Sequence, residues 1–199
     1  MTFNATRQHV LNQSKHPPVN QGSPRPEFLE ELVAWAKGAP DEIFAMNASF
    51  HDDIYDSVSH ELGPWEGIAH RRAVMLEVLR VLAGFESSWN WKEGRDTTNA
   101  TSITPDTIEA GAWQVSANSM AFGHELKDLV RGKVGSLDGN AFQHAMKENH
   151  PLAIEYAARL LRRTTRHNGP VKRGEIHPSL SKDAVAEFQA LVETADSRV

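Results

Sequence analysis

Between Ile68 and Phe85 the chain is apolar on nearly every helical face, and this stretch stops at a carboxylate, Glu86. The spacing predicts one helix from about Trp65 to Phe85, with the polar residues His70, Glu77 and Arg80 near a single stripe. A helix that is hydrophobic on most sides belongs at the centre of a packed domain. Its end then meets a polar, tryptophan-rich run, Ser87-Ser88-Trp89-Asn90-Trp91.

Other segments read as helices around it. Pro26 suits a first-turn position, and Phe28, Leu29, Leu32, Val33 and Trp35 follow at helical spacing up to Gly38. A second helix is expected from Asp41 to Leu62, with Ile43, Phe44, Met46, Phe50, Ile54, Tyr55 and Val58 inward, until Gly63-Pro64 breaks it. Residues 87 to 110 lack a helical period and read as a loop with a short hairpin; so long an irregular segment in a compact domain is usually functional. Helices resume at roughly 116 to 131, 138 to 148, 150 to 166 and 181 to 195, with Ser116 and Ser181 as N-caps. Residues 1 to 25 are rich in Asn, Gln, Pro and Ser and read as a flexible arm before one domain at 26 to 199. The expected fold class is mainly α, with a small irregular or β element after the third helix.

The 199 residues are enough for one domain with a sizeable core. A net charge of −5 argues against a general nucleic-acid binder, and it offers no help in holding an anionic polymer. The chain has no cysteine, which excludes disulfides, thiol catalysis and cysteine-based metal sites. No apolar run approaches a membrane span. The polar start lacks a secretory signal, so the expectation is synthesis in the cytoplasm and, for a substrate outside it, release by lysis or specialised secretion. The sequons at Asn4, Asn47 and Asn99 then read as chance.

Glu86 carries the chemical expectation. Glycosidic bonds break when a carboxylic acid protonates the leaving oxygen while positive charge builds on the sugar ring. Such an acid must keep its proton near neutral pH, and apolar neighbours such as Leu82, Ala83 and Phe85 favour that. Trp89, Trp91 and Trp113 offer flat faces for pyranose rings, although as core residues they would be equally ordinary. Gln114, Ser116, Asn118 and Asn168 offer neutral hydrogen bonds to hydroxyl and acetamido groups.

Three motifs add a family resemblance. Glu86-Ser87-Ser88-Trp89-Asn90 resembles the Glu-Ser motif of lytic transglycosylases and goose-type lysozymes, in which the catalytic Glu ends a buried helix. Gly111-Ala112-Trp113-Gln114-Val115 resembles their Gly-Leu-Met-Gln-Val motif, and His167-Asn168-Gly169-Pro170 their Tyr-Asn-Ala-Gly motif. The resemblance spans roughly residues 65 to 172 and implies a lysozyme-like α+β domain. It implies Glu86 as the acid and Ser87, Gln114, Ser116, His167 and Asn168 near the sugar. The chain departs from the pattern at Ala112-Trp113, at His167, and at Ser116, where goose-type lysozymes carry an Asp. Transglycosylases work with a single Glu, which then takes the proton of the muramic acid 6-hydroxyl. Hydrolysis needs a second carboxylate, for which Asp96, Asp106 and Glu109 are the loop candidates.

The expectation is therefore a glycosidase cutting the β-1,4 bond between N-acetylmuramic acid and N-acetylglucosamine in peptidoglycan, as a lytic transglycosylase or a muramidase. An endolysin or a secreted antibacterial effector is the expected setting, and an effector would have an immunity protein as partner. A chitinase or chitosanase is the nearer alternative, and a non-catalytic glycan-binding module the farther one. No cofactor is expected. Ten histidines invite a metal, but His51 and His60 are about two and a half helical turns apart and would face opposite ways. Arg159, Arg162, Arg163 and Arg166 form a basic run that reads as a solvated face or as a contact for substrate carboxylates.

Overall fold

In a computed structural model the chain is described at residues 1–12, 19–46 and 53–194, and it is mainly helical. Helix α1 (Pro26–Gly38) begins at the expected proline and buries Phe28, Leu29, Leu32, Val33, Trp35 and Ala36. Short helices α2 (Ile54–Ser57) and α3 (Ser59–Leu62) precede the central helix, α4 (Ile68–Ser87). After the loop come α5 (His124–Val134), α6 (Gly139–Glu148), α7 (His150–Arg163), the single turn α8 (Gly169–Lys172) and α9 (Lys182–Glu193). Helices α1, α7 and α9 pack directly on α4, whose residues from Ala73 to Ala83 are buried almost without exception. The central position inferred from its apolar surface is the one it occupies.

That helix also buries four charges. Glu77 and Arg80 form a bidentate pair at 2.7 Å, and Ser181 N donates to Glu77 at 2.9 Å. Burial pushes the Glu77 carboxyl up, although Arg80 opposes it. Arg71 and Arg72 turn toward the segment after α1. Arg71 Nε donates to Phe44 O at 2.5 Å, and Arg72 Nη1 donates to Ala39 O at 3.0 Å.

These arginines help explain why the expected helix Asp41–Leu62 is not continuous. The Phe44 carbonyl accepts from the Arg71 guanidinium, and a 3₁₀ turn at Asp41–Ile43 stands where the expected helix would begin, with residues 44–46 outside any helix. Asp53 then starts α2 afresh by accepting from Tyr55 N and Asp56 N. Met46, expected inward, is 79% exposed. Phe50, His51 and Asp52 lie outside the described residues, as does the sequon at Asn47.

Residues 1 to 25 were expected to be a flexible arm, and where described they are docked. Strands β1 (Val10–Asn12) and β2 (Val19–Gly22) pair antiparallel beside α4. Phe3, Thr6 and Val10 are buried. Glu187 of α9 accepts from Asn4 N at 2.6 Å, Thr6 N at 2.8 Å and Thr6 Oγ1 at 2.7 Å. A few apolar side chains and one carboxylate aimed at two backbone N–H groups hold the segment despite its polar composition.

Three smaller differences follow from local chemistry. The helix expected at 116 to 131 is a 3₁₀ turn, Ala117–Phe122, followed by α5, because extended Gly123 separates them. Ser116 caps nothing; its hydroxyl goes to Asn118 Oδ1 at 2.7 Å. Helix α7 ends at Arg163, where Thr164 turns extended. Ser181 does cap α9 through Ala184 N. Among the described residues no helix is long and apolar enough to cross a membrane.

Candidate active site

Glu86 lies in the last turn of α4, at the negative end of the helix dipole, and the chain leaves the helix through left-handed Ser88 (φ 53°). Gly84 makes this exit geometrically possible. The Trp89 ring folds back against it so closely that a Cβ there would lie 2.7 Å from Trp89 Cζ2. Trp89 Nε1 donates to Arg80 O at 2.8 Å, which locks the ring beneath the helix end.

The motif at 110 to 115 is a tight two-sided turn. Ala110 and Val115 exchange backbone bonds of 2.9 and 3.2 Å, and Gly111 N donates to Glu93 O at 2.9 Å. This single bridge is all that forms of the expected hairpin among the described residues. Gly111 has φ 76°, and a Cβ there would meet the backbone carbonyl of Met146 at 2.6 Å. Ser87 ties the turn to α4 by donating to Ala112 O at 2.8 Å. Gln114, at φ 46°, is a non-glycine residue in the left-handed region, a conformation that persists where surrounding structure imposes it.

Helix end, turn, loop and the 167 to 175 segment enclose a cleft of about 1100 Å³. Glu86, Asp96, Glu109, Gln114, Ser116, His167 and Asn168 line it. The structure thus brings together most of the sites expected from the sequence. Burial pushes the Glu86 carboxyl up to about 8, against the charge of Arg173 and a hydrogen bond from Asn168, while Glu109 and Glu175 push it further up. Asn168 is buried, its Nδ2 donates to Trp113 O at 3.5 Å, and its Oδ1 is buried without a partner among the described residues.

The loop carboxylates separate into distinct roles. Glu109 accepts from Asn99 Nδ2 at 2.6 Å and from Ser102 Oγ at 2.5 Å, so both its oxygens are held. It is also the carboxylate whose charge acts on both Glu86 and His167. Asp96 is exposed and spends one oxygen on Thr98 N and Oγ1, which lowers its pKa. Asp106 does not line the cleft; its backbone carbonyl receives Asn118 N at 2.9 Å.

The tryptophans are not on the cleft. Trp113 is 1% exposed and donates to Leu79 O at 2.9 Å, and Trp89 is buried under α4. Trp91 is half-buried and stacks on His150 at 3.9 Å, facing a separate hollow of about 520 Å³. The left-handed pair Ser88–Trp89 turns the two rings to different surroundings. Ser87 is likewise structural. The basic run is consumed elsewhere: Arg159 pairs with Glu155 and Glu42, Arg162 with Asp53 and Arg163 with Glu125.

Sequence reasoning missed Glu93, Arg95, Phe122, Arg173 and Glu175, which also line the cleft. Arg173 follows α8 and is fixed by Glu175 at 2.6 Å. Its place just after the Asn168-Gly169-Pro170 motif was an available signal. Asn168-Gly169 opens the helical turn α8. Among the described residues no cluster of three or more His, Asp or Glu is arranged to hold a metal ion; His51 lies outside them. Compared with protein-family models, with curated proteins and with solved structures, the chain matches none.

Proposed function

We propose that the chain is a glycosidase of the β-1,4 bond between N-acetylmuramic acid and N-acetylglucosamine, with Glu86 as its proton donor. One observation carries the reading: a carboxyl at the end of a buried helix, facing a large polar cleft, with its pKa raised to about 8. At neutral pH such a group still holds a proton to give. Glu86 transfers it to the bridging oxygen, the C1–O bond breaks, and positive charge develops on the ring. The Arg173 guanidinium steadies the carboxylate left behind.

Two second steps are open to this geometry. Glu86 can take back a proton from the muramic 6-hydroxyl as that oxygen bonds to C1, giving a 1,6-anhydro end. Alternatively a water attacks C1. Glu109, held by Asn99 and Ser102, is the carboxylate suited to orient it. Digestion of purified sacculi followed by mass spectrometry separates anhydro from reducing ends. Glu86→Gln is expected to abolish both products while circular dichroism stays native and melting is no lower than native; retained cleavage would sink the assignment.

A second reading has one observation in its favour. The cleft is lined by Glu86, Glu93, Asp96, Glu109 and Glu175 against Arg95 and Arg173, an acidic balance. Such a lining suits a neutral or partly cationic amino-sugar polymer better than an anionic one. Under that reading the substrate is chitin or chitosan, and cleavage of their soluble oligomers would exceed that of sacculi.

A further inference from the structure

The cleft has an aromatic face that the tryptophans do not supply. Phe122 ends the 3₁₀ turn Ala117–Phe122, is 45% exposed, and lines the cleft on the side of His167. The two rings meet edge to face, with centroids 5.9 Å apart at 71°. A half-exposed phenylalanine normally has no such fixed orientation; here His167 backs it, and burial holds that imidazole toward its neutral form. Beyond Phe122 lies another hollow of about 410 Å³, which shares Ala121 and Phe122 with the main cleft and is walled by Lys127 and Arg163. Phe122 thus stands at the border shared by the two hollows.

We propose that Phe122, braced by His167, is the stacking face for a pyranose ring, and that the glycan crosses it from the Glu86 cleft into the hollow by Lys127 and Arg163. This rests on the glycosidase reading and extends it to the direction the polymer takes. The apolar C–H face of a β-linked amino sugar suits an exposed ring, and a flat ring at the border of two polar hollows matches alternating ring faces and substituents. Crossing that border adds a sugar contact that a short oligomer does not reach.

The test uses the Glu86→Gln protein and N-acetylglucosamine oligomers, titrated by calorimetry with a trimer and a hexamer. The hexamer is expected to bind about tenfold more tightly than the trimer, Phe122→Ala to remove that difference, and Phe122→Trp to keep it. An unchanged length dependence in Phe122→Ala overturns the proposal, and so does the absence of hexamer binding. Sacculus cleavage by the otherwise native protein is scored separately. Cleavage that depends on Glu86 but ignores Phe122 leaves the glycosidase reading standing and removes only this one.

Discussion

The proton on Glu86 is governed by burial, four neighbours and one dipole. Apolar burial, Glu109, Glu175 and the helix C-terminus hold it on; Arg173 and Asn168 draw it off. Because the folded pKa is about 8, well above the ordinary 4.5, the acid form persists at neutral pH. Cleavage is expected to be flat up to neutrality on this limb and to fall about tenfold per pH unit above about 8. Arg173→Met removes the charge favouring the carboxylate, so that limb should move to higher pH; a pH profile of kcat/KM reads the shift. The stability sign is opposite to that of an ordinary ion-paired acid. A raised folded pKa gives stability that is full below 4.5 and lost as pH rises through about 8. Glu86→Gln should therefore melt higher than the unmodified protein near pH 8, with the gap closing toward pH 4. For Glu109→Gln, the expected outcome is a drop in reducing-end products with anhydro products spared. Equal loss of both would make Glu109 a structural anchor for Asn99 and Ser102.

Elements, not single residues, decide where these groups stand. Helix α4 was legible in the sequence because its apolar surface has only one physical solution, and α1, α6 and α9 were legible from periodicity with Pro26, Asp138 and Ser181 at their starts. The Trp89 and Trp113 positions were not. Their indole N–H groups reach carbonyls of Arg80 and Leu79, and pairing with an α4 carbonyl leaves no trace in residue spacing. Nor was the holding of Glu109, rather than Asp106 or Asp96, by Asn99 and Ser102, since it depends on which carboxylate those two meet across the loop. Gly84→Ala tests the seat of α4 directly. Its Cβ would stand 2.7 Å from the Trp89 ring, so the exit turn must shift. Misfit of this kind destabilises by about 1–3 kcal/mol. Chemical denaturation measures that loss, and activity is expected to fall further than stability, because Glu86 moves with the turn.

Across the whole molecule, long-range polar contacts fasten the surface segments to the helical core. Arg80 of α4 reaches Gln8 O at 3.3 Å and Ser179 O at 3.4 Å, besides Glu77. Arg80→Met strands a buried carboxylate and should destabilise by about 3–5 kcal/mol, whereas the double change Glu77→Met, Arg80→Met should be milder. Glu187 binds the N-terminal segment, and its carboxyl is held below the ordinary range by the Asn4 and Thr6 donors, although burial opposes them. Stability from that contact is present above 4.5 and lost as pH falls through the lower folded value. Protection of the Asn4 and Thr6 amides against hydrogen exchange, relative to the intrinsic rate at each pH, should fall as pH drops below 4.5, and in Glu187→Ala at every pH.

The docked N-terminal strands have a practical consequence for engineering the protein. Polar, proline-containing leaders are often trimmed before expression, and here trimming to Pro26 would delete buried Val10 and the Gln8 carbonyl that accepts from Arg80, directly behind the helix that carries Glu86 in its last turn. A shortened version that loses the proposed activity would then report damage to the back of the helix that carries Glu86, and a solubility tag is better joined at the other end of the chain.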